Sequence, residues 1–280
     1  MDAVSPAAGA MIRVVMLAAM PRESRPLLKL LGESRQLAGE PFPTWFQRSS
    51  HVELLLVETG MGAERAGRAA RRVLSASRID LLVSIGFAGS LWPRFRLGQV
   101  VWSRELAAYD ERGESPFSVG VRPASVPALT AFCQTQGVRS ARFLTVDRVL
   151  PKARLAGRFA DDPTVVEMES TAVAAAACGR GVPFLGLRAI SDEATQEIDV
   201  RLDAILDRAG GVSLPKVVGA VLRKPILAGS LLRLWRSSRV AGRTLSQTLM
   251  ALLQLPEEDL RTLAEQLRLL PLPGGGSTHS

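Results

Sequence analysis

The chain has 280 residues, 47% of them hydrophobic and 22% charged, which suits one substantial core and an appendage. Its two cysteines and two histidines show no metal-ligand spacing, so we expect neither a metal site nor a cofactor. The N-terminus lacks the pattern of a signal peptide, and no apolar run reaches the roughly 18–20 residues of a membrane-spanning helix, which predicts a cytoplasmic protein.

The formal net charge of +8 is concentrated in one segment. Residues 208–256 contain eight lysines and arginines and no acidic residue, so the rest of the chain is close to neutral. Because this basic segment lacks interleaved aromatic residues and a known reading motif, we do not expect the protein to bind nucleic acid.

The elements predicted in chain order alternate between strands and helices. Residues 1–10 are small and polar, which predicts a disordered N-terminus. Apolar runs predict strands at Ile12–Ala19, Phe42–Gln47, Val52–Glu58, Leu81–Ile85, Gln99–Leu106 and Arg142–Val146. Helices follow the first strand and the turn Gly60–Gly62, which lacks the third glycine of a dinucleotide fingerprint. This order favours a doubly wound or three-layer α/β sheet.

The segment Val165–Glu193 carries the most informative pattern. Two apolar runs bracket a small-residue helix from about Ser170 to Arg180, as in a β-α-β unit. The first run is followed by Glu167 and Glu169, and the second ends at Asp192. Ligands of open α/β sheets bind at the carboxyl ends of strands, so these acids are candidates for site chemistry.

Five motifs in order resemble the nucleoside phosphorylase/nucleosidase family, and most of all its methylthioadenosine/S-adenosylhomocysteine nucleosidase branch. The resemblance extends from about Ile12 to Ala194. It is carried by Ala19-Met20 with Glu23, Thr59–Gly62, Ile85–Gly89, Val166–Glu169 and Arg188–Asp192. It implies a three-layer αβα fold with a mixed, mostly parallel central sheet. We also expect a homo-oligomer, a dimer or larger.

The resemblance implies a role for each acid. Asp192 corresponds to the residue that donates a proton to N7 of a leaving purine, and Glu23 to the acid that activates or orients water. Glu169 corresponds to the residue that holds the ribose hydroxyls, and Met168 to the one that packs on sugar and base. Protonating the base makes its departure easier, and carboxylates favour the cationic sugar that develops. The remaining substrate-binding candidates are Glu167, Phe87, Ala88, Gly89 and Ser191.

Each of these residues also has a structural interpretation. Asp192 suits the cap of a turn or a helix start, and Glu169 suits the first turn of a helix, where an acid faces the helix dipole. Met168 suits a core position, and Glu23 suits a solvated helix surface. Agreement of all motifs in family order favours the functional interpretation.

A loop after the strand Arg142–Val146 stands where the nucleosidases read adenine. Asp147-Arg148-Val149-Leu150 occupies that position. The resemblance implies that Leu150 reads the base through its backbone. Val149 stands where an aromatic residue is expected, which puts stacking on adenine in doubt.

The acceptor of the sugar is water or phosphate. Many phosphorylases place an arginine on the strand before the second glycine motif, but this chain has Val83-Ser84-Ile85-Gly86 there. Arg22 and Arg25, with Gly60, offer an alternative phosphate site near the first turn. We favour water.

The C-terminal region departs from the small nucleosidases. We predict an α/β domain over residues 11–207, a basic helical extension over 208–270 and a flexible tail over 271–280. Within 226–254, leucines and Trp235 fall on one helical face and arginines on the other, typical of a peripheral contact with anionic membrane on its inner face. The alternative is a helix packed on the α/β domain or between subunits.

The basic tail resembles the hopanoid-associated phosphorylase-like branch of the same family. This resemblance implies removal of adenine from adenosylhopane to give ribosylhopane, a membrane lipid intermediate. The strand Leu81–Ile85 is predicted to end in a glycine turn over Gly86–Ser90. In that turn Phe87 replaces a small polar residue, which predicts an apolar sugar-side pocket. The alternatives are a soluble purine nucleoside phosphorylase, a methylthioadenosine/S-adenosylhomocysteine-type nucleosidase, and a non-catalytic nucleoside-binding protein.

Overall fold

The computed structural model describes residues 11–110, 113–120, 126–148, 150–152, 155, 159, 161–196, 227–267 and 270–271. The predicted disorder of residues 1–10, the boundary at 207 and nearly all of the predicted tail lie outside these residues. The strands are β1 (Ile12–Ala18), β2 (Arg35–Gln36), β3 (Thr44–Arg48), β4 (Val52–Glu58), β5 (Leu81–Ser90), β6 (Val100–Asp110), β7 (Gly113–Gly120), β8 (Arg139–Val146), β9 (Thr164–Glu167), β10 (Phe184–Asp192) and β11 (Leu270–Pro271). The helices are α1 (Pro21–Leu31), α2 (Ala63–Ala76), α3 (Pro127–Gln136), α4 (Ser170–Cys178), α5 (Leu227–Leu253) and α6 (Glu257–Gln266).

All strands belong to one mixed sheet flanked by helices. Its order is β11-β7-β6-β8-β9-β5-β1-β4-β3-β2, with β10 paired to both β5 and β6. The central strands β4, β1, β5 and β10 run parallel. The second pairing of β10 closes β5, β10, β6, β8 and β9 into a ring. This is the predicted αβα fold with a mixed sheet, and the ring brings the ends of β5, β9 and β10 together.

Strand β5 is longer than predicted. The glycine-rich stretch Gly86–Ser90 was expected to form a turn, but it continues the strand. Gly89 pairs with Asp192 of β10 on one side and with Val166 of β9 on the other. These two neighbours hold the stretch extended, and the absent glycine side chains leave room beside it for the side chains of the site.

Helix α5 packs into the main core along its C-terminal half. Ala241, Leu245, Leu249 and Leu252 are fully buried there. A Cβ placed on Gly242 would lie 3.2 Å from the backbone oxygen of Arg22 and 3.6 Å from the Phe87 ring, so α5 lies close against α1 and β5. The packing alternative therefore holds for this half of the helix, and its leucines do not form a free apolar face.

Several described side chains of α5 around Trp235 are exposed. Trp235 and Val240 are 44% and 43% exposed, and Arg233, Arg236, Arg239 and Arg243 are exposed as well. Across the residues that the structure describes, we find no helix both long and apolar enough to traverse a lipid bilayer.

Candidate active site

A buried arginine on β10 lies at the centre of the site. Arg188 is 1% exposed, and its Nη2 lies 2.7 Å from Glu167 Oε2 and 3.9 Å from Glu169 Oε2. Its Nη1 donates to the backbone oxygen of Ser84 at 2.9 Å. Within the described chain, Arg188 Nε has no hydrogen-bond partner. A buried cation needs compensating acceptors, and the neighbouring carboxyl groups supply them.

Glu167 holds this arginine in place. Its carboxylate also accepts hydrogen bonds from the backbone nitrogens of Glu169 and Ser170 and from the hydroxyls of Ser170 and Thr145. Burial alone would raise the pKa of Glu167, but the charge of Arg188 and these donors hold it below its ordinary value. With all these partners, the geometry favours a supporting role for Glu167 over the direct substrate contact predicted from the sequence.

Glu169 faces the glycine turn before α2. Its Oε1 accepts a hydrogen bond of 2.8 Å from the backbone nitrogen of Gly62, whose φ of 95° is readily adopted only by glycine. Burial, together with the charge of Glu167, raises the pKa of Glu169 to about 8. The backbone of the Gly60–Gly62 turn thus binds a carboxyl group of the protein itself.

Glu23 reaches the same cluster from the first turn of α1. Its Oε2 accepts from the backbone nitrogen of Met20 at 2.9 Å, and its Oε1 from that of Phe87 at 3.0 Å. Glu23 is buried, and this burial raises the pKa of its carboxyl group. A Cβ on Gly86 would lie 2.7 Å from Glu23 Oε1 and 3.4 Å from Arg188 Nε, so these side chains meet over that glycine. The structure therefore excludes the solvated helix surface as its environment.

Asp192 closes the site at the end of β10. Its Oδ1 accepts a hydrogen bond of 2.6 Å from the hydroxyl of Ser191, and its Oδ2 lies 2.5 Å from Nζ of Lys152. Both Asp192 and Lys152 are buried. A Cβ on Gly89 would lie 2.7 Å from Asp192 Oδ2, so the acid rests directly on β5.

The other predicted residues are placed as follows. Phe87 and Met168 are half-buried, and Ala88 is buried, with its backbone oxygen 3.4 Å from the Ser191 hydroxyl. Leu150 is half-buried against a small second core. Val149 lies outside the described residues.

The predicted phosphate ligands lie around the start of α1 and the first glycine turn. Gly60 has a φ of 78°, and Arg22 is half-buried, with its backbone beside α5. Arg25 is exposed, and its charge acts on Glu58. The site residues therefore form two groups along β5, one of Glu23, Glu169 and Arg188 near Gly86 and one of Asp192 and Lys152 near Gly89.

Two residues of the site were not predicted as functional. Arg188 had a signal, because a cation within the apolar run Phe184–Ile190 must find a partner when that strand is buried. Lys152 had none, since no motif of the sequence relates it to Asp192.

Together, the closed mixed sheet and its cluster of carboxyl groups define an enzyme of the nucleosidase and nucleoside phosphorylase class. The chain belongs to the phosphorylase superfamily, whose family model matches residues 13–213.

Several relatives are similar to this chain in amino-acid sequence. A 5'-methylthioadenosine/S-adenosylhomocysteine nucleosidase from Geobacillus kaustophilus is 28% identical over 179 residues, 58% of this chain and 76% of the relative. A protein of the same name from Actinobacillus succinogenes is 30% identical over 182 residues, 59% of this chain and 79% of the relative.

Solved structures share the fold. An S-adenosylhomocysteine nucleosidase from Streptococcus pyogenes, in complex with 5-methylthiotubericidin, matches with a TM-score of 0.67 at 21% identity, covering 89% of this chain and 99% of that one. A futalosine hydrolase mutant of Helicobacter pylori matches with a TM-score of 0.65 at 17% identity, covering 86% and 98%.

Proposed function

We propose that the protein cleaves the N-glycosidic bond of an adenine nucleoside, with Asp192 protonating N7 of the departing base. The observation that carries this proposal is the placement of Asp192. It is buried at the end of β10 beside Gly89 of β5, and Gly86 of the same strand lies against the second cluster of acids. A buried carboxyl group at that point suits an acid that acts on a base lying over β5. The names of the relatives, nucleosidases of 5'-substituted adenosines, support adenine as the base.

The sugar would lie between Asp192 and the Gly62 turn. Glu169 is the acid nearest to that turn, and a pKa of about 8 leaves it protonated at neutral pH, able both to donate and to accept a hydrogen bond. Vicinal hydroxyl groups present the same mixture of donors and acceptors. Glu169 is therefore the proposed ribose ligand, with Met168 beside it in sequence as the apolar contact.

Water is the proposed acceptor. Glu23 Oε1 and Arg188 Nε approach each other over Gly86, and Arg188 Nε offers a donor without a protein partner in the described residues. A water molecule bound there would be oriented by the Arg188 donor and the Glu23 carboxyl group. Phosphate is disfavoured, because the acids Glu23, Glu167 and Glu169 surround the single guanidinium and leave no excess positive charge for a dianion.

Product analysis tests the function and the acceptor together. The purified protein is incubated with 5'-methylthioadenosine, with and without phosphate, and the products are identified by mass spectrometry. We expect free adenine and the free sugar at the same rate in both reactions. A sugar 1-phosphate formed only with phosphate would establish the phosphorylase alternative, and intact nucleoside after long incubation would support the non-catalytic alternative.

A lipid-linked nucleoside such as adenosylhopane is the proposed natural substrate. Phe87 supplies an apolar group beside Gly86, and its ring is packed towards Gly242 of α5. Leu97, 37% exposed, donates from its backbone to Glu193, the residue after Asp192, and its neighbour Gly98 contacts Val240 of α5. Two exposed apolar side chains, Leu97 and Val240, thus lie between the residue after Asp192 and α5.

The exposed part of α5 supports a contact with anionic membrane. We call Arg233, Trp235, Arg236, Arg239, Val240 and Arg243 the arginine surface. The Arg239 guanidinium lies 4.7 Å from the centre of the Trp235 ring, so cationic and aromatic groups are presented together. Such a combination favours the headgroup region of a membrane with negative charge.

Vesicle sedimentation tests this contact. We expect the protein to bind phosphatidylcholine vesicles that contain phosphatidylglycerol, and the triple variant R233Q/R236Q/R239Q to lose that binding. The control R68Q/R71Q/R72Q removes the same charge from exposed arginines of α2 and should bind as the unaltered protein does. Equal losses in both variants would mean that net charge alone acts, and undiminished binding of the first variant would contradict the proposal.

A further inference from the structure

The segment after β8 delivers a lysine side chain into the site. Lys152 is 4% exposed, and three oxygens surround its Nζ: Asp192 Oδ2 at 2.5 Å, the backbone oxygen of Asp192 at 3.1 Å and that of Glu193 at 2.6 Å. Nζ donates hydrogen bonds to the two backbone oxygens and forms an ion pair with Asp192 Oδ2. Lys152 therefore holds both the side chain and the backbone of the strand end that carries the acid.

The pair is enclosed from the side of β5. A Cβ on Gly89 would lie 2.7 Å from Asp192 Oδ2 and 3.1 Å from Cε of Lys152. Any other residue at this position would displace one of the two partners. The carboxylate of Glu193 is turned away, since it accepts from the backbone nitrogen of Leu97 at 3.1 Å. Asp192 is thus the carboxylate that the lysine meets.

We infer that Lys152 is a positioning residue for the protonation of the leaving base, an inference that rests on the proposed function. In that step the O–H bond of Asp192 breaks, N7–H forms and the glycosidic electron pair leaves with the neutral base. The hydroxyl of the attacking water joins the sugar, and the remaining proton returns to Asp192. Lys152 keeps its own protons and stabilises the Asp192 carboxylate that exists between the two transfers.

This role also connects two parts of the site. Leu150, the predicted backbone reader of adenine, lies two residues before Lys152. The ion pair therefore ties the loop that would bind the base to the acid that would protonate it. A buried pair with one partner removed leaves an uncompensated charge, so the link is costly to break.

The experiment compares two leaving groups. Adenine departing from 5'-methylthioadenosine needs a proton, whereas the nitrophenolate of p-nitrophenyl riboside is stable without one. We expect Lys152→Met to lower kcat/KM for the nucleoside by about a hundredfold, within the range of general acid catalysis. For the nitrophenyl substrate we expect little change, and Lys152→Arg should recover part of the activity.

A double-variant cycle on the nucleoside decides the matter if the nitrophenyl substrate is not turned over. In the Asp192→Asn background, Lys152→Met should cause almost no further loss, because the lysine acts through the acid. Losses that multiply, equal losses on both substrates, or full activity of Lys152→Met would each overturn the inference.

Two control measurements distinguish the possible causes of lost activity. Thermal unfolding identifies a variant that fails to fold, and Lys152→Gln then replaces it as a smaller polar alternative. An unaltered protein that leaves the nucleoside intact contradicts the proposed function itself. An active protein with an unaffected Lys152→Met variant contradicts only the role of the lysine.

Discussion

Three acidic side chains share one guanidinium, and their environments drive their pKa values apart. Glu167 takes the direct ion pair with Arg188 and the donors at the start of α4, so its pKa falls. Glu169 lies farther from Arg188, and burial beside the Glu167 charge raises its pKa to about 8. Burial likewise raises the pKa of Glu23. One scaffold acid thus keeps its charge while the two proposed substrate-facing acids are inclined to hold a proton.

The raised pKa of Glu169 predicts a pH-dependent stability. Because its folded-state pKa lies above the ordinary 4.5, the folded protein binds the extra proton between about pH 4.5 and 8. The contribution of this group to stability is complete below pH 4.5 and is lost as the pH rises towards 8. We expect the free energy of unfolding, measured by denaturant titration at several pH values, to fall over this range less steeply in Glu169→Gln than in the unaltered protein. Identical slopes would contradict the protonated state.

At the residue scale, the sequence predicted the acids better than their partners. Glu23, Glu169 and Asp192 stand in motifs whose order resembles a family, so their roles were proposed without a structure. The ion pair of Asp192 with Lys152 joins residues 40 positions apart, and the loop sequence carries no sign of it. Likewise, only the structure shows that the Glu167 carboxylate pairs with Arg188 and accepts hydrogen bonds from the start of α4.

At the element scale, β5 makes room for the site because two of its residues are glycines without side chains. Gly86 and Gly89 are the points where Glu23 with Arg188, and Asp192 with Lys152, lie against the strand. From the sequence, these glycines predicted a turn. The local sequence does not show that β9 and β10 pair with this stretch on either side. Pairing with β9 and β10 decides the conformation instead, and this pairing depends on the closed ring.

Gly86→Ala tests this use of glycine. The added Cβ would lie 2.7 Å from Glu23 Oε1 and 3.1 Å from its Cδ, so the carboxyl group must move away from Arg188. We expect kcat to fall at least about tenfold and the free energy of unfolding by about 1–3 kcal/mol. Gly179→Ala is the matched control, because its Cβ would come no closer than 3.5 Å to another atom. Normal kinetics for Gly86→Ala would contradict the close approach.

The amphipathic pattern of helix α5 does not determine which surface its apolar face packs against. The pattern located the helix and its leucine face, but the same pattern suits a membrane, a subunit or the protein itself. The structure gives part of the answer, since Leu245 and Leu249 are fully buried in the main core. Among the described side chains of α5, Trp235 and the neighbouring arginines are exposed.

Truncating a buried and an exposed side chain of α5 tests this difference in packing. We expect Leu249→Ala to lower the free energy of unfolding by about 2–5 kcal/mol, because it opens a cavity in the core. Trp235→Ala, at the exposed end of the same helix, should change it by less than about 1 kcal/mol. Chemical denaturation compares the two, and equal effects would contradict the placement of α5.

At the scale of the whole molecule, the α/β architecture and the family followed from the order of strands, turns and carboxylates. The closed ring did not, because the pairing of β10 with β6 joins residues far apart in sequence. The homo-oligomer stays a prediction, as do the lipid-linked substrate and the membrane contact. What unites the proposed steps is two groups of buried acids along β5, one for the base and the other for the sugar and water.

Turnover of 5'-methylthioadenosine by Asp192→Asn is the most direct test of this account. Asparagine keeps the shape of the side chain but has no acidic proton for N7. We predict that kcat falls by about 10²–10⁴-fold while substrate binding changes little. A variant that releases adenine at the rate of the unaltered protein would contradict the central role of Asp192.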